Sequence, residues 1–191
     1  CAGPGGKTAV LAAEAALAGA SLRANEVSEH RAELVRNAVE AHADGVDVVS
    51  QDGREDAAYG GAEARFERIL VDAPCSGLGA LRRRPEARWR KQPGDLPGLT
   101  ELQGGLLDAA IRHLAPGGGI AYVTCSPHLA ESRMVVADAL RRHPELQELD
   151  AKAILRDISR DELDLAGKHP SAQLWPHRHG TDAMFIALLT K

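Results

Sequence analysis

Residues 1–27 read CAGPGGKTAVLAAEAALAGASLRANEV, and the order of elements in that stretch decides the fold class. A glycine-rich turn, Gly3-Pro4-Gly5-Gly6, leads into an alanine-rich helix expected over residues 8–18. A short strand expected over residues 21–27 then carries Asn25 and Glu26 near its end. A carboxylate at a strand end about twenty residues after a glycine turn is where nucleotide-binding sheets hold ribose hydroxyls. Taken alone, an acid at a strand end is more often solvated surface.

The same alternation continues outward. Ser28 is placed to cap a helix over residues 29–43, in which Leu34, Val35, Ala38, Val39 and His42 recur at helical spacing. A strand over 46–50 runs into Gln51-Asp52-Gly53, and another over 68–71 runs into Asp72-Ala73-Pro74-Cys75. A helix over 99–114 is expected to stop at Ala115, Pro116 and three glycines. A strand over 120–124 delivers Cys125, a helix covers 130–142, and an apolar strand over 183–189 closes the chain. Strands alternating with helices predict an α/β fold, a mostly parallel sheet with helices on both faces and ligands beyond the carboxyl ends of the strands. Glu26, Asp52, Asp72 and Cys125 are expected to converge on that edge.

Composition agrees. The 191 residues are 44% hydrophobic but only 3% aromatic, so the core must be aliphatic, and the length suits one domain over residues 1–191. Three cysteines with no secretory signal argue for reduced thiols in a cytoplasm rather than a disulfide framework. No apolar run approaches the ~20 residues that span a bilayer, so no membrane partner is expected. The histidines show no paired ligand spacing, and no metal is expected.

The net charge of −4 conceals one basic segment: Arg82, Arg83, Arg84, Arg88, Arg90 and Lys91 are opposed only by Glu86. Trp89 sits among them. Cationic groups for phosphates and an aromatic face for a base are the ingredients of single-stranded RNA binding, although most charge runs are solvated loops.

Three motifs carry chemistry. Gly6-Lys7-Thr8 matches the end of a phosphate-loop pattern, but its first glycine would fall on Cys1, so the match fails. The turn instead lets a ligand's negative end approach the backbone at a helix N-terminus, unless it is an ordinary tight turn. Asp72-Ala73-Pro74-Cys75-Ser76-Gly77 joins an acid, a rigid proline and a thiol at one strand end, and Thr124-Cys125-Ser126-Pro127 repeats the arrangement at the next. Structural thiols usually sit inside apolar strands, and these two do not.

CAGPGGKT, DAPCSGLG and TCSPHLAE, in this order, resemble the Sun (Fmu) type of RNA cytosine-5 methyltransferases in the NOL/NOP/Sun superfamily. The stretch RRRPEARW and the ending GTDAMFIALL extend the resemblance over nearly the whole chain. It implies a Rossmann-like methyltransferase sheet and S-adenosylmethionine as cofactor. Cys1, Ala2, Gly3, Pro4, Gly5, Gly6 and Lys7 would line its methionine part, Glu26 its ribose and Asp52 its adenine, with Asp72 closing the site near the base. It implies Cys125 as nucleophile and Cys75 as the thiol of product release, with RNA, most readily 16S ribosomal RNA, as substrate of a monomeric enzyme. It also implies a preceding strand and an upstream RNA-binding domain, so this chain is expected to be N-terminally truncated. The same chemistry on tRNA, or a catalytically silent RNA-binding module, are the alternatives.

Overall fold

The computed structural model describes residues 1–191, which pack as two compact units, Cys1–Arg65 and Phe66–Lys191. In the first, the glycine turn leads into α1 (Gly6–Ala18), whose six alanines supply strong helix propensity. Gly19, in the left-handed region, ends it by donating to the carbonyls of Ala15 and Ala16. Strand β1 (Leu22–Asn25) pairs in parallel with β2 (Val46–Val49), from Leu22 opposite Val46 to Asn25 opposite Val49. Between them α2 (Glu29–Ala38) buries Ala32 and Val35. The helix expected to reach residue 43 stops at Ala38. A 3₁₀ segment, Glu40–Gly45, replaces its last turn, with His42 off helical geometry, and returns the chain to the start of β2.

The core of this unit is built from small residues, Ala12, Ala24, Ala32, Val35, Val39 and Ala58. Small side chains permit close approach, and Gly5 shows how close: a Cβ there would lie 2.6 Å from the Cβ of Ala38, and its φ is +114°. Only glycine serves at that position without displacing α2.

The second unit holds β3 (Phe66–Asp72), a single-turn α3 (Ala87–Arg90), α4 (Leu96–Arg112), β4 (Leu114–Thr124), α5 (Arg133–Arg142), β5 (Gln147–Leu149), α6 (Ala151–Ile158), β6 (Ala172–Gln173), α7 (Pro176–His179) and β7 (Phe185–Thr190). Its sheet has the order β3-β4-β7-β5, with β6 also on β7. β3 and β4 are parallel, and every antiparallel pairing involves β7. Side chains alternate along β7. Phe185, Ala187 and Leu189 join a core with Leu107 and Ile111 of α4 and Val135, Val136 and Ala139 of α5. Leu188 packs instead against a smaller cluster of Ala151, Leu165 and Ala172 beside α6. Period-two alternation thus puts helices on both faces of this strand.

Two expectations shift here. The glycines after Pro116 do not separate helix from strand: β4 already starts at Leu114, paired with Phe66, and the register slips between Phe66 and Arg68. The cause is that Phe66 N donates to the carbonyl of His113 at 2.9 Å, joining the strands ahead of the glycines. Between residue 142 and the closing strand, where no element is expected above, the chain forms β5, α6, β6 and α7. Asp150 accepts from the backbone N–H groups of Lys152 and Ala153 and caps α6, a signal legible in the sequence.

Candidate active site

In the first unit the glycine turn is tied to the carboxyl end of β1. Ala2 N donates to Asn25 O at 3.0 Å, Gly3 N donates to Glu26 Oε2 at 3.0 Å, and Thr8 Oγ1 donates to Ala2 O at 3.3 Å. Glu26 also accepts from Ser28 N at 3.3 Å and is only 1% exposed, with Arg31 Nη1 3.7 Å from Oε1. Its first evident task is to brace the turn. Asn25 and Gln51 exchange hydrogen bonds across the ends of β1 and β2, and Asp52 follows. Asp52 accepts from Arg54 through side chain and backbone, which lowers its carboxyl to about 2. Lys7 is exposed at the first turn of α1, and the space beside Gly6 is open for 4 Å.

In the second unit, Asp72 ends β3 opposite Val123 of β4, so the two parallel strands carry Cys75 and Cys125 out at the same edge. Their Sγ atoms are 3.2 Å apart. The two thiols differ in charge state. The hydrogen bond from Cys75 lowers the Cys125 thiol to about 7, against burial and the charge of Asp72. The same bond, followed by burial and the charge on Cys125, pushes Cys75 well above the ordinary thiol range. Of the two, Cys125 therefore ionises first, near neutrality, while Cys75 keeps its proton.

The basic segment is exposed: Arg82, Arg84, Arg88, Arg90 and Lys91 all reach solvent, and Trp89 is 75% exposed with the Arg88 guanidinium 4.8 Å from its ring centroid. Arg83 is occupied differently, in an ion pair with Asp182. That pair ties the segment to the approach to β7. Beside it Gly79 N donates to Cys125 O and Ala183 N donates to Gly79 O, each at 2.9 Å.

A family model described as 16S rRNA methyltransferase RsmB/F matches residues 1–190. The chain belongs to the RsmB/F family. A Mycobacterium tuberculosis (strain H37Rv) protein named as a methyltransferase is 52% identical over 191 residues, which are 100% of this chain and 39% of that protein. The ribosomal RNA small subunit methyltransferase B of Pseudomonas putida is 36% identical over 195 residues, covering 100% of this chain and 41% of that enzyme. The RsmB/F chain thus spans about two fifths of the length of these curated relatives. The crystal structure of NSun6 from Pyrococcus horikoshii with SFG, an S-adenosylmethionine analogue, matches with a TM-score of 0.81 at 25% identity, over 100% of this chain and 46% of that one. The α/β architecture is that of the Rossmann-like, S-adenosylmethionine-dependent methyltransferases.

Reading the RsmB/F chain as sequence misses the groups beneath the thiols. Glu131 is fully buried and accepts from Ser76 N at 2.6 Å, Ser76 Oγ at 2.5 Å, Ser126 Oγ at 2.6 Å and Gln103 Nε2 at 3.3 Å. Gln103 Nε2 also donates to Pro74 O at 2.8 Å, and Tyr122 OH donates to Glu131 O at 2.9 Å. The available signal was an acid six residues after Cys125 in TCSPHLAE, but nothing in its spacing distinguishes it from a helix-capping surface acid.

Proposed function

We propose that the chain is the catalytic part of an enzyme that moves a methyl group from S-adenosylmethionine to C5 of a cytosine in RNA, with 16S ribosomal RNA as substrate. The observation that carries this reading is the contact of two thiols 3.2 Å apart at neighbouring strand ends, which lowers Cys125 to about 7 and raises Cys75. C5 of cytosine is too poor a nucleophile to accept a methyl group directly. The Cys125 thiolate adds to C6, forming an S–C6 bond and sending an electron pair toward C5. Asp72 hydrogen-bonds the base near N3 or its exocyclic amine and holds the adduct in place. The cofactor supplies an electrophilic methyl group on a sulfonium. Once C5 carries the methyl, water or a base takes the C5 proton, the C5–H pair closes the C5=C6 double bond, and the S–C6 pair departs with Cys125 as thiolate. Cys75, which holds a proton against Cys125, assists that expulsion directly or through water.

The residues of the first unit fit the cofactor's polar ends. Open space beside Gly6 lets a carboxylate approach the N-terminus of α1. Cys1 to Lys7 are assigned to the methionine part, Asp52 to the adenine amino group and Glu26 to the ribose hydroxyls, with Asp72 also on the cofactor side of the base. Because Glu26 is 1% exposed and already accepts from Gly3 N and Ser28 N, the ribose contact requires a local rearrangement around it. Arg82, Arg83, Arg84, Arg88, Trp89, Arg90 and Lys91 are assigned to the RNA, with Arg83 contributing through the loop that it anchors. A ribosomal substrate puts the activity in the cytoplasm. The test is transfer of labelled methyl from S-adenosylmethionine to unmodified 16S ribosomal RNA by the full-length protein. Label in 5-methylcytosine after nuclease digestion is the expected result, and label on tRNA alone would replace the substrate assignment.

A further inference from the structure

A buried carboxylate loses several kcal/mol of hydration, so one with no exposed surface at all must be held by donors that do something in return. The donors on Glu131 are not a random set. Ser76 is the residue after Cys75, and Ser126 is the residue after Cys125. Both hydroxyls donate to the same oxygen, Oε2, at 2.5 and 2.6 Å, and Ser76 and Ser126 are themselves 3.3 Å apart. The Ser76 N–H that donates to Oε1 belongs to the peptide unit joining it to Cys75. Because that unit is planar, fixing its N–H fixes the Cα of Cys75. The corresponding peptide after Cys125 is fixed from the other side, since Cys125 O accepts from Gly79 N at 2.9 Å. Glu131 is held in turn by Gln103 of α4 and, through its own carbonyl, by Tyr122 of β4. One carboxylate therefore joins the two loops that follow β3 and β4 at the residues next to the thiols.

We propose that Glu131 is a positioning residue of the thiol pair: its carboxylate holds the loops after β3 and β4 so that Cys75 and Cys125 stay in sulfur–sulfur contact. This deepens the functional reading above and rests on it for its relevance to catalysis. Placement has an electrostatic side as well. The charge of Glu131 adds to the hydrogen bond, burial and Cys125 charge that keep the proton on Cys75, and so favours the thiolate on Cys125.

The test measures the thiols rather than methyl transfer. In the full-length protein, diamide takes two electrons and two protons from the pair, leaving a Cys75–Cys125 disulfide and the reduced hydrazine, and its rate reports how often the sulfurs meet. Glu131→Gln should slow this step at least tenfold and move the pH midpoint of Cys125 alkylation upward, with the circular dichroism spectrum retained. A folded Glu131→Gln protein with unchanged disulfide rate and unchanged alkylation midpoint overturns the proposal and leaves Glu131 with a structural role only. If Glu131→Gln does not fold, Ser126→Ala decides: it keeps the carboxylate and removes one donor, and a disulfide rate equal to that of the parent protein is again the overturning result. Methylation by a Cys125→Ala variant would defeat the functional reading without touching either thiol measurement.

Discussion

Cys75 and Cys125 lie fifty residues apart in the chain, yet their Sγ atoms approach to 3.2 Å because β3 and β4 run in parallel and end together. That contact makes the two thiols unequal: the donor, Cys75, stays protonated, and the acceptor, Cys125, ionises near neutrality. The asymmetry has direct experimental consequences.

The first is in pH. Cys125 alkylation by iodoacetamide, followed by peptide mass spectrometry, should rise through a midpoint of about 7 in the parent protein. Lowering pH through that value protonates the thiolate and should slow both alkylation and methyl transfer. In Cys75→Ala the stabilising donor is gone, so the midpoint should move up toward ordinary thiols, about 8.5. An unmoved midpoint would mean that the sulfur–sulfur hydrogen bond contributes nothing to the ionisation of Cys125.

A second consequence separates the roles. Cys125→Ala should form neither 5-methylcytosine nor a covalent RNA complex. Cys75→Ala should still attack and methylate but release product slowly, so a denaturant-resistant protein–RNA adduct should accumulate on gels. The double variant should show none. Adduct in Cys125→Ala and none in Cys75→Ala would exchange the two assignments.

The basic segment makes a different kind of prediction. Arg88→Glu with Arg90→Glu should weaken RNA binding and lower the dependence of log affinity on log salt by about one unit per lost phosphate contact, or slightly less for single strands. An unchanged slope would return the segment to solvated loop. Arg83→Glu should behave otherwise, since it loses the pair with Asp182 and with it the tie between the segment and the approach to β7.

Gly79 is predicted to be intolerant of any side chain. A Cβ there would sit 2.1 Å from the carbonyl oxygen of Ala183 and 2.8 Å from that of Cys125. Neither oxygen belongs to a flexible side-chain end, so the backbone must move, and Gly79→Ala should cost on the order of 1–3 kcal/mol or more in denaturant unfolding. Gly94→Ala, where nothing lies within 4 Å, is the matched control and should stay within about 0.5 kcal/mol.

The sequence by itself determined the elements that rest on local periodicity and on short polar motifs at strand ends. The alanine run of α1, the apolar run that becomes β7 and the placement of Cys75 and Cys125 just past apolar strands all follow from residues within a few positions of one another. Tertiary structure alone decided what depends on partners far away in the chain. Leu114 joins β4 ahead of the glycines because Phe66 reaches His113, and Arg83 leaves the basic set because Asp182 stands ninety-nine residues on. Glu131 is the clearest case. In the sequence it is one of 27 acidic residues, and what sets it apart is the pair of serines that packing brings to a single oxygen. Local spacing reports which face of an element a residue occupies, but a buried charge takes its meaning from the donors around it, and here those come from the loops after β3 and β4 and from α4.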